Sequence, residues 1–387
     1  MTNNSSVAPI INVIGEFSDE MTLGMKKGVR KHFSEYLLGM MIPPEVRRKS
    51  ISNISGLVSG SDQITVNRAF HAVDPETLER NYIKYLKARI GSHLVQFIGD
   101  DTLPEHPGSG VMENAGWFFD HASGNNVLAQ QPVTTMLHDL DTDGFYPFLI
   151  KMYVKKDRAS HENNHGFRTK IEIMEDVFHT ASENFNVAGK VVDSWYSSFK
   201  FLADNFVTEL KVNRKVSFRD MGRMTAKNGD LFYTMDEIIE TTFLMYNNNS
   251  GILKDFPLYT QLKAYLSKGK PVSLVVLYNP DNKRRRFLAS DYLEGDGIMK
   301  AWNNRWSIET FHNDAKDLGM VEYQVRDGEG SLIHVRFTLA TYTLLSMMIK
   351  ASMKLFGKVL KTIGECSREI KEVLILKRNY KWRLFSG

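Results

Sequence analysis

At Leu94 the hydrophobic pattern of the chain changes from helical spacing to short strand-like runs, and the order of elements from there constrains the fold most tightly. Leu94 to Gly99 is an apolar run that ends at Asp100-Asp101-Thr102. Val127 to Leu137 and Phe145 to Val154 read as two further strands, joined by Asp139-Leu140-Asp141-Thr142-Asp143-Gly144, which has turn chemistry. Lys170 to Asn186 is amphipathic at helical spacing, and Val187 to Val192 is a strand that stops at Asp193. After an irregular stretch rich in Asn turns, Val272 to Tyr278 and Arg284 to Ser290 form a strand–turn–strand about Asn279-Pro280-Asp281-Asn282. Two helical regions follow, Gly297 to Leu318 and the strongly apolar Leu332 to Leu360. Three strands, a helix and a strand predict a mixed sheet with helices on both faces.

This order is the opening of a ribonuclease-H-like α/β fold. What precedes it is different. The first fifteen or so residues read as loosely anchored, and from about Asp19 the positions Met21, Met25, Val29, Phe33 and Leu37 predict one helix ended by Pro43-Pro44. Arg47-Arg48-Lys49 opens the next helix, which runs to about Val58. Asp62 caps a third, and Asp74-Pro75-Glu76 starts a fourth that reaches about Ile90. The organisation expected is a helical domain over 1–93, a catalytic domain over 94–204 and 271–363, a β-rich insertion over 205–270, and a basic tail over 364–387. At 387 residues, with 42% hydrophobic and 24% charged side chains, the composition is that of a folded chain and excludes a disordered one. Its single cysteine, Cys366, excludes an internal disulfide framework and a cysteine zinc cluster, and fits a reducing cytoplasm. No stretch of about 18 residues is both apolar and uncharged, so no membrane span is expected.

Three carboxylates stand where strand and helix ends would bring them together: Asp100, Asp193 and Glu309. Carboxylates gathered in this way repel one another unless a cation neutralises them, and a few hard oxygen ligands suit Mg²⁺, with Mn²⁺ as a substitute. Two such ions serve in-line displacement at phosphorus. Taken singly, Asp-Asp-Thr is an ordinary turn and Asp193-Ser194 an ordinary cap. The helix around Glu309 adds a pattern. At 100° per residue, Trp302 falls at about +20° from Glu309, Arg305 at about −40°, His312 at about −60° and Lys316 at about −20°. Ala301, Ile308, Phe311, Ala315 and Leu318 gather to one side of that stripe. A solvated face with an Arg305–Glu309 pair would account for the charges but does not call for Trp302 in line with them. Cations above and below a metal-holding Glu suit a DNA backbone, with the Trp stacking on a base or sugar. His161 and His165 have helical ligand spacing, but Asn163-Asn164 and Gly166 favour a loop.

Trp302-x2-Arg305-x3-Glu309-x6-Lys316 resembles the Y-x2-R-x3-E-x6-K signature of DDE transposases from bacterial and archaeal insertion sequences, the insertion-sequence-four-like superfamily. The text Arg305-Trp306-Ser307-Ile308-Glu309-Thr310-Phe311 is similar to that group's R-W-x-I-E-x-F core, and the likeness runs from about residue 94 to about 345. The resemblance implies Asp100, Asp193 and Glu309 as catalytic metal ligands, with Asp101 as the alternative to Asp100. It implies Arg305 and Lys316 as DNA contacts. Trp302 departs from the usual Tyr, which keeps a stacking ring and loses a phenolic hydrogen bond. His312 beside the stripe and the basic cluster Arg47, Arg48 and Lys49 complete the expected DNA-binding set.

The expected function is metal-dependent DNA cleavage at transposon ends followed by strand transfer into target DNA. The partner is double-stranded DNA, the DNA-bound form a homodimer, and the setting a prokaryotic cytoplasm with the protein on the nucleoid. Two alternatives share these residues: a nuclease that cuts without joining, and a domesticated DNA-binding protein whose site is silent.

Overall fold

The computed structural model describes residues 7–42, 49–58, 62–106, 112–158, 167–198, 201–219, 232–235, 237–238, 248–249, 252–321, 323 and 325–375. Five helices come first: α1 (Val7–Met21), α2 (Lys27–Met41), α3 (Ile51–Val58), α4 (Gln63–His71) and α5 (Pro75–Ile90). The strands are β1 (Leu94–Asp101), β2 (Gly116–Asp120), β3 (Asn125–Ala129), β4 (Gln131–Asp139), β5 (Gly144–Tyr153), β6 (Asn186–Val192), β7 (Phe206–Glu209), β8 (Lys215–Val216), β9 (Tyr233–Thr234), β10 (Asn248–Asn249), β11 (Leu258–Leu266), β12 (Lys270–Tyr278) and β13 (Arg285–Ser290). Helix α6 (Lys170–Asn184) lies between β5 and β6. After β13 come α7 (Gly295–Asn304), α8 (Trp306–Ala315), α9 (Gly328–Lys350), α10 (Ser352–Phe356) and α11 (Ile363–Ile375).

Nine strands form one mixed sheet in the order β10-β11-β12-β13-β7-β6-β1-β4-β5. The pairs β1–β6 and β6–β7 are parallel and the others antiparallel. Helix α6 packs on one face, where Phe178 meets Phe97 edge-on. Helices α7, α8 and α9 pack on the other. The expected mixed sheet with helices on both faces is the fold observed.

Local chemistry explains the elements that match their sequence signals. Asp62 and Asp74 cap α4 and α5 by accepting from the N–H of Thr65 and Thr77, and Pro75 sits in the first turn of α5. Thr169 and Glu172 form a reciprocal capping box at the start of α6.

Several expectations are corrected. The N-terminal residues from Val7 are not loose: Ile10, Ile14, Phe17 and Met21 repeat at helical spacing and are buried. One long helix through Leu37 is instead two, because Gly24 takes a left-handed φ of 88° between them. The run Val127–Leu137 is two strands. It breaks at Gln130, with β3 closing a separate hairpin on β2 and β4 joining the main sheet. Strands β7 and β11, inside the stretch expected to be an insertion, belong to the central sheet. The 297–318 helix is interrupted at Arg305 and ends in a wider turn over Lys316–Met320.

The N-terminal helices do not form a core of their own. Buried residues from α1 to α5 and from the sheet and its later helices make one continuous apolar cluster. Across this joint the Tyr36 hydroxyl bonds His334 Nδ1 at 2.8 Å, and Tyr82 bonds Thr343 at 2.8 Å. Helix α9 is long and apolar enough to cross a membrane by length and composition, but its apolar window is 67% buried against the sheet and the N-terminal helices.

Candidate active site

The candidate site lies where three parallel strands end together. Gly99 of β1 is in register with Val192 of β6, and Val192 with Thr208 of β7. The next residues along the three strands are Asp100, Asp193 and Glu209. Side chains alternate along a strand. Phe97 and Gly99 face α6, where Gly99 leaves room for Met174, so Asp100 faces α8 on the other side. From that side Arg305 reaches down: its Nη1 lies 2.6 Å from Asp100 Oδ2 and its Nη2 2.5 Å from Glu309 Oε1. Arg305 sits where α7 gives way to α8, and Glu309 follows one turn later on α8.

The electrostatics of this group are tight. Burial pushes the Asp100 carboxyl up to about 7, against the pull of Arg305, and the charges of Asp193 and Asp101 add to the rise. Burial likewise raises Asp193, helped by Asp101 and opposed by Arg305. For Arg305 burial works against the charge, but Asp100 and Glu309 outweigh it, so its pKa is raised. Among the described residues its buried Nε has no hydrogen-bond partner, so its side-chain hydrogen bonds run from the outer nitrogens to carboxylates. Asp193 also caps a short turn over Ser194–Tyr196, accepting from the N–H of Trp195 at 3.0 Å. It is therefore both the ordinary cap and a member of the cluster.

Asp101 points the opposite way. It takes Lys170 at 3.1 Å, the Tyr196 hydroxyl at 2.9 Å and the Gln131 amide at 2.6 Å. Of the two adjacent acids, Asp100 is the one joined through Arg305 to Glu309.

The stripe on the helix is placed differently from its expected use. Trp302 is buried, with Arg305 at 4.8 Å on its ring and Arg286 at 5.6 Å. Stacking on a base is not open to it. His312 is buried too. Its Nε2 lies 2.6 Å from the Thr134 hydroxyl, and burial, with the charges of Lys316 and Arg305, lowers its pKa to about 3. A neutral, enclosed imidazole tethering α8 to β4 replaces the expected DNA contact. Lys316 is half-buried at the end of α8, about 10 Å along the helix from Glu309. Lys49 is corrected outright: it is buried, and its ammonium donates to the carbonyls of Gly39, Met40 and Ile42 at the C-terminal end of α2. The negative end of a helix explains that choice. Arg47, Arg48, His161 and His165 lie outside the described residues, as does the tail beyond Ile375.

Sequence reasoning missed three features near the site. Glu209 pairs with Arg286 at 3.3 Å and lies within reach of the charges of Arg305 and Asp193. Its signal was the end of a strand beside β6, hidden because that strand was read as part of an insertion. Trp306, next to Arg305, is 64% exposed, and Trp195, two residues after Asp193, is 51% exposed. The ring of Trp195 carries Lys170 at 4.4 Å and Lys211 at 4.9 Å. An open cleft runs from here past Ser194, Glu209, Asn213 and Arg285.

Elsewhere, His93, Asp139 and Asp141 bring potential ligand atoms within 4.8 Å of one another at the other end of β1. His93 Nδ1 and the Thr142 hydroxyl bond to Asp139, which also accepts from the Asp141 N–H. The group is thus knitted together as the closure of the β4–β5 turn.

A family model described as "Archaeal putative transposase ISC1217" matches residues 13–358. Among solved structures, the chain resembles a piggyBac transposase synaptic complex with hairpin DNA, determined by cryo-EM. The TM-score is 0.50 at 11% identity, over 98% of this chain and 80% of that one. No curated protein matches.

Proposed function

The chain belongs to that archaeal transposase family, and from this premise we propose that it cuts DNA at the ends of its own element and joins the freed 3′ ends to target DNA. The family makes it an enzyme acting on DNA and implies a divalent metal. Asp100, Asp193 and Glu309 are proposed as the residues that hold two Mg²⁺ ions, with Mn²⁺ as a substitute. The observation that carries this reading is the Arg305 bridge between Asp100 and Glu309, beside Asp193 on the neighbouring strand end.

The residues present suit such cations. They are hard oxygen donors, enclosed so that burial pushes Asp100 up to about 7, and among the described residues the cation they share is a guanidinium. When bound, divalent ions would activate the attacking oxygen and stabilise the leaving one. The chain's own contributions are separate. Strands β1 and β6 fix two carboxylates at one level. Helix α8 brings the third from above, and the His312–Thr134 bond anchors that helix beside Asp100. Arg305 is the group that neutralises Asp100 and Glu309 in the absence of a cation; with cations held by those carboxylates, its guanidinium would be free to pair with a phosphate.

The partner is DNA, as double-stranded element ends and target, and the working form proposed is a homodimer on DNA in a prokaryotic cytoplasm. The test is a cleavage and strand-transfer assay on the element's terminal DNA, with Mg²⁺ or EDTA, comparing wild type with Asp193→Asn. Metal-dependent cutting and joining, both lowered at least a thousandfold by the substitution, is the expected outcome. Cutting without joining would make the protein a nuclease. Tight end binding with no chemistry would make it a silent DNA-binding protein. Activity surviving the loss of Asp193 would overturn the assignment of the site.

A further inference from the structure

Glu209 occupies a position that a structural ion pair does not require. The parallel pairing of β1, β6 and β7 ends in register at Gly99, Val192 and Thr208, and Asp100, Asp193 and Glu209 are the residues that follow. Neighbouring strands are about 4.8 Å apart, and residues in register on parallel strands point to the same face. Glu209 therefore flanks Asp193 on the side away from Asp100. Arg305, which holds Asp100 and Glu309, also acts on Glu209, and Asp193 is the carboxylate whose charge Glu209 meets. Asp193 itself is served by backbone N–H groups of the turn it caps. Two guanidiniums stand among these four carboxylates, Arg305 on Asp100 and Glu309 and Arg286 on Glu209, and both lie near the ring of Trp302. Glu209 is also one wall of the open cleft with Ser194, Lys211 and Arg285, so ions reach it from solvent.

We propose that Glu209 is a fourth cation-holding carboxylate of this site, exchanging Arg286 for the divalent ion that Asp193 holds. The inference rests on the reading of Asp100, Asp193 and Glu309 as metal ligands. It assigns to β7 a direct part in the site, and to Arg286 the role of occupying Glu209 until a cation arrives.

The experiment is a Mn²⁺ titration of the full-length protein without DNA, followed by the electron paramagnetic resonance signal of free Mn²⁺. Wild type is compared with Glu209→Gln, Glu209→Asp, Arg286→Gln and Asp193→Asn, each checked for an unchanged thermal melt in EDTA. The expected result is a loss of about tenfold in the affinity of one Mn²⁺ for Glu209→Gln and a smaller loss for Glu209→Asp. The Asp variant keeps the charge but withdraws the carboxylate by one methylene, so a through-space effect would leave it like wild type. Arg286→Gln is expected to tighten binding. If Glu209 merely anchors Arg286, both partners' variants move affinity in the same direction, and the proposal fails. Wild-type affinity in Glu209→Gln or Glu209→Asp also overturns it. Should Asp193→Asn itself bind Mn²⁺ normally, the failure belongs to the site as a whole and not to Glu209 alone.

Discussion

Arg305 neutralises Asp100 and Glu309 at once, and its side chain is only 11% exposed. Removing one partner from a buried pair leaves uncompensated charge, which costs about 3–5 kcal/mol. Arg305→Gln is therefore expected to lower stability by that amount in EDTA, read from the urea midpoint. On the proposed metal-holding role of these carboxylates, Mg²⁺ should return much of the loss, because a bound cation would neutralise the same groups. An equal loss with and without Mg²⁺ would mean that Arg305 supports the fold and not the carboxylates. The same residue shows what a helical wheel can and cannot tell. Angular position identified the stripe of Trp302, Arg305, Glu309 and Lys316, and Ile308, Phe311 and Ala315 beside it are buried as that geometry requires. Depth was not legible. A polar stripe reads as a surface facing DNA, yet this one looks inward at strand-end acids, so Trp302 and His312 are enclosed. Exposure instead falls to Trp306, one residue past Arg305, which lies in the R-W-x-I-E-x-F text but off the helical stripe.

Among elements, those with chemical punctuation were readable and those defined by distant pairing were not. Asp62, Asp74-Pro75 and Thr169 mark helix starts within their own few residues. By contrast, β7 is a strand of the main sheet only because β6 and β13 lie on either side of it, which a local pattern cannot report. The cluster Arg47-Arg48-Lys49 illustrates the same limit for charge. Lys49 is drawn inward by the unpaired carbonyls that end α2, and its Cβ and Cγ lie against Gly319, whose φ of 104° no larger residue would adopt easily. Lys49→Met is expected to destabilise the protein by about 1–3 kcal/mol, since buried acceptors lose their donor. It should leave the salt dependence of DNA binding unchanged, because no phosphate contact is lost. A shallower slope of log affinity against log salt in Lys49→Met would contradict the inward placement.

At the scale of the molecule, the change of pattern at Leu94 marks a change of secondary structure but not of core. One apolar cluster spans α1–α5, the sheet and α9. Calorimetry of the intact chain should give a single transition, and a melt in two steps would mean that residues 1–93 fold apart. His334 stands at this joint. Its Nε2 faces the carbonyl of Gly319 at 2.9 Å, which can only accept, so that nitrogen carries the proton and Nδ1 accepts from the Tyr36 hydroxyl. A second proton would force the bond to Tyr36 to reverse and strand the phenolic proton, and burial lowers the pKa of His334 to about 4. Burial lowers His106 to about 4 and His312 to about 3 in the same way. The sign follows from linkage: below the ordinary value of 6.5 the unfolded chain takes up protons that the folded one refuses. The stability these histidines contribute is whole above that value and is lost as the pH falls from there towards 4, while the raised carboxyl of Asp100 acts with the opposite sign. Three such groups set a slope of up to about 4 kcal/mol per pH unit. His334→Gln keeps a donor and an acceptor but cannot titrate, so it should make stability fall less steeply between pH 6 and 5, by up to about 1.4 kcal/mol per pH unit, read from urea midpoints. A slope the same as wild type would show that His334 is not among the groups that refuse the proton, and the neutral bridge from α2 through α9 to the turn after α8 would have to be redrawn.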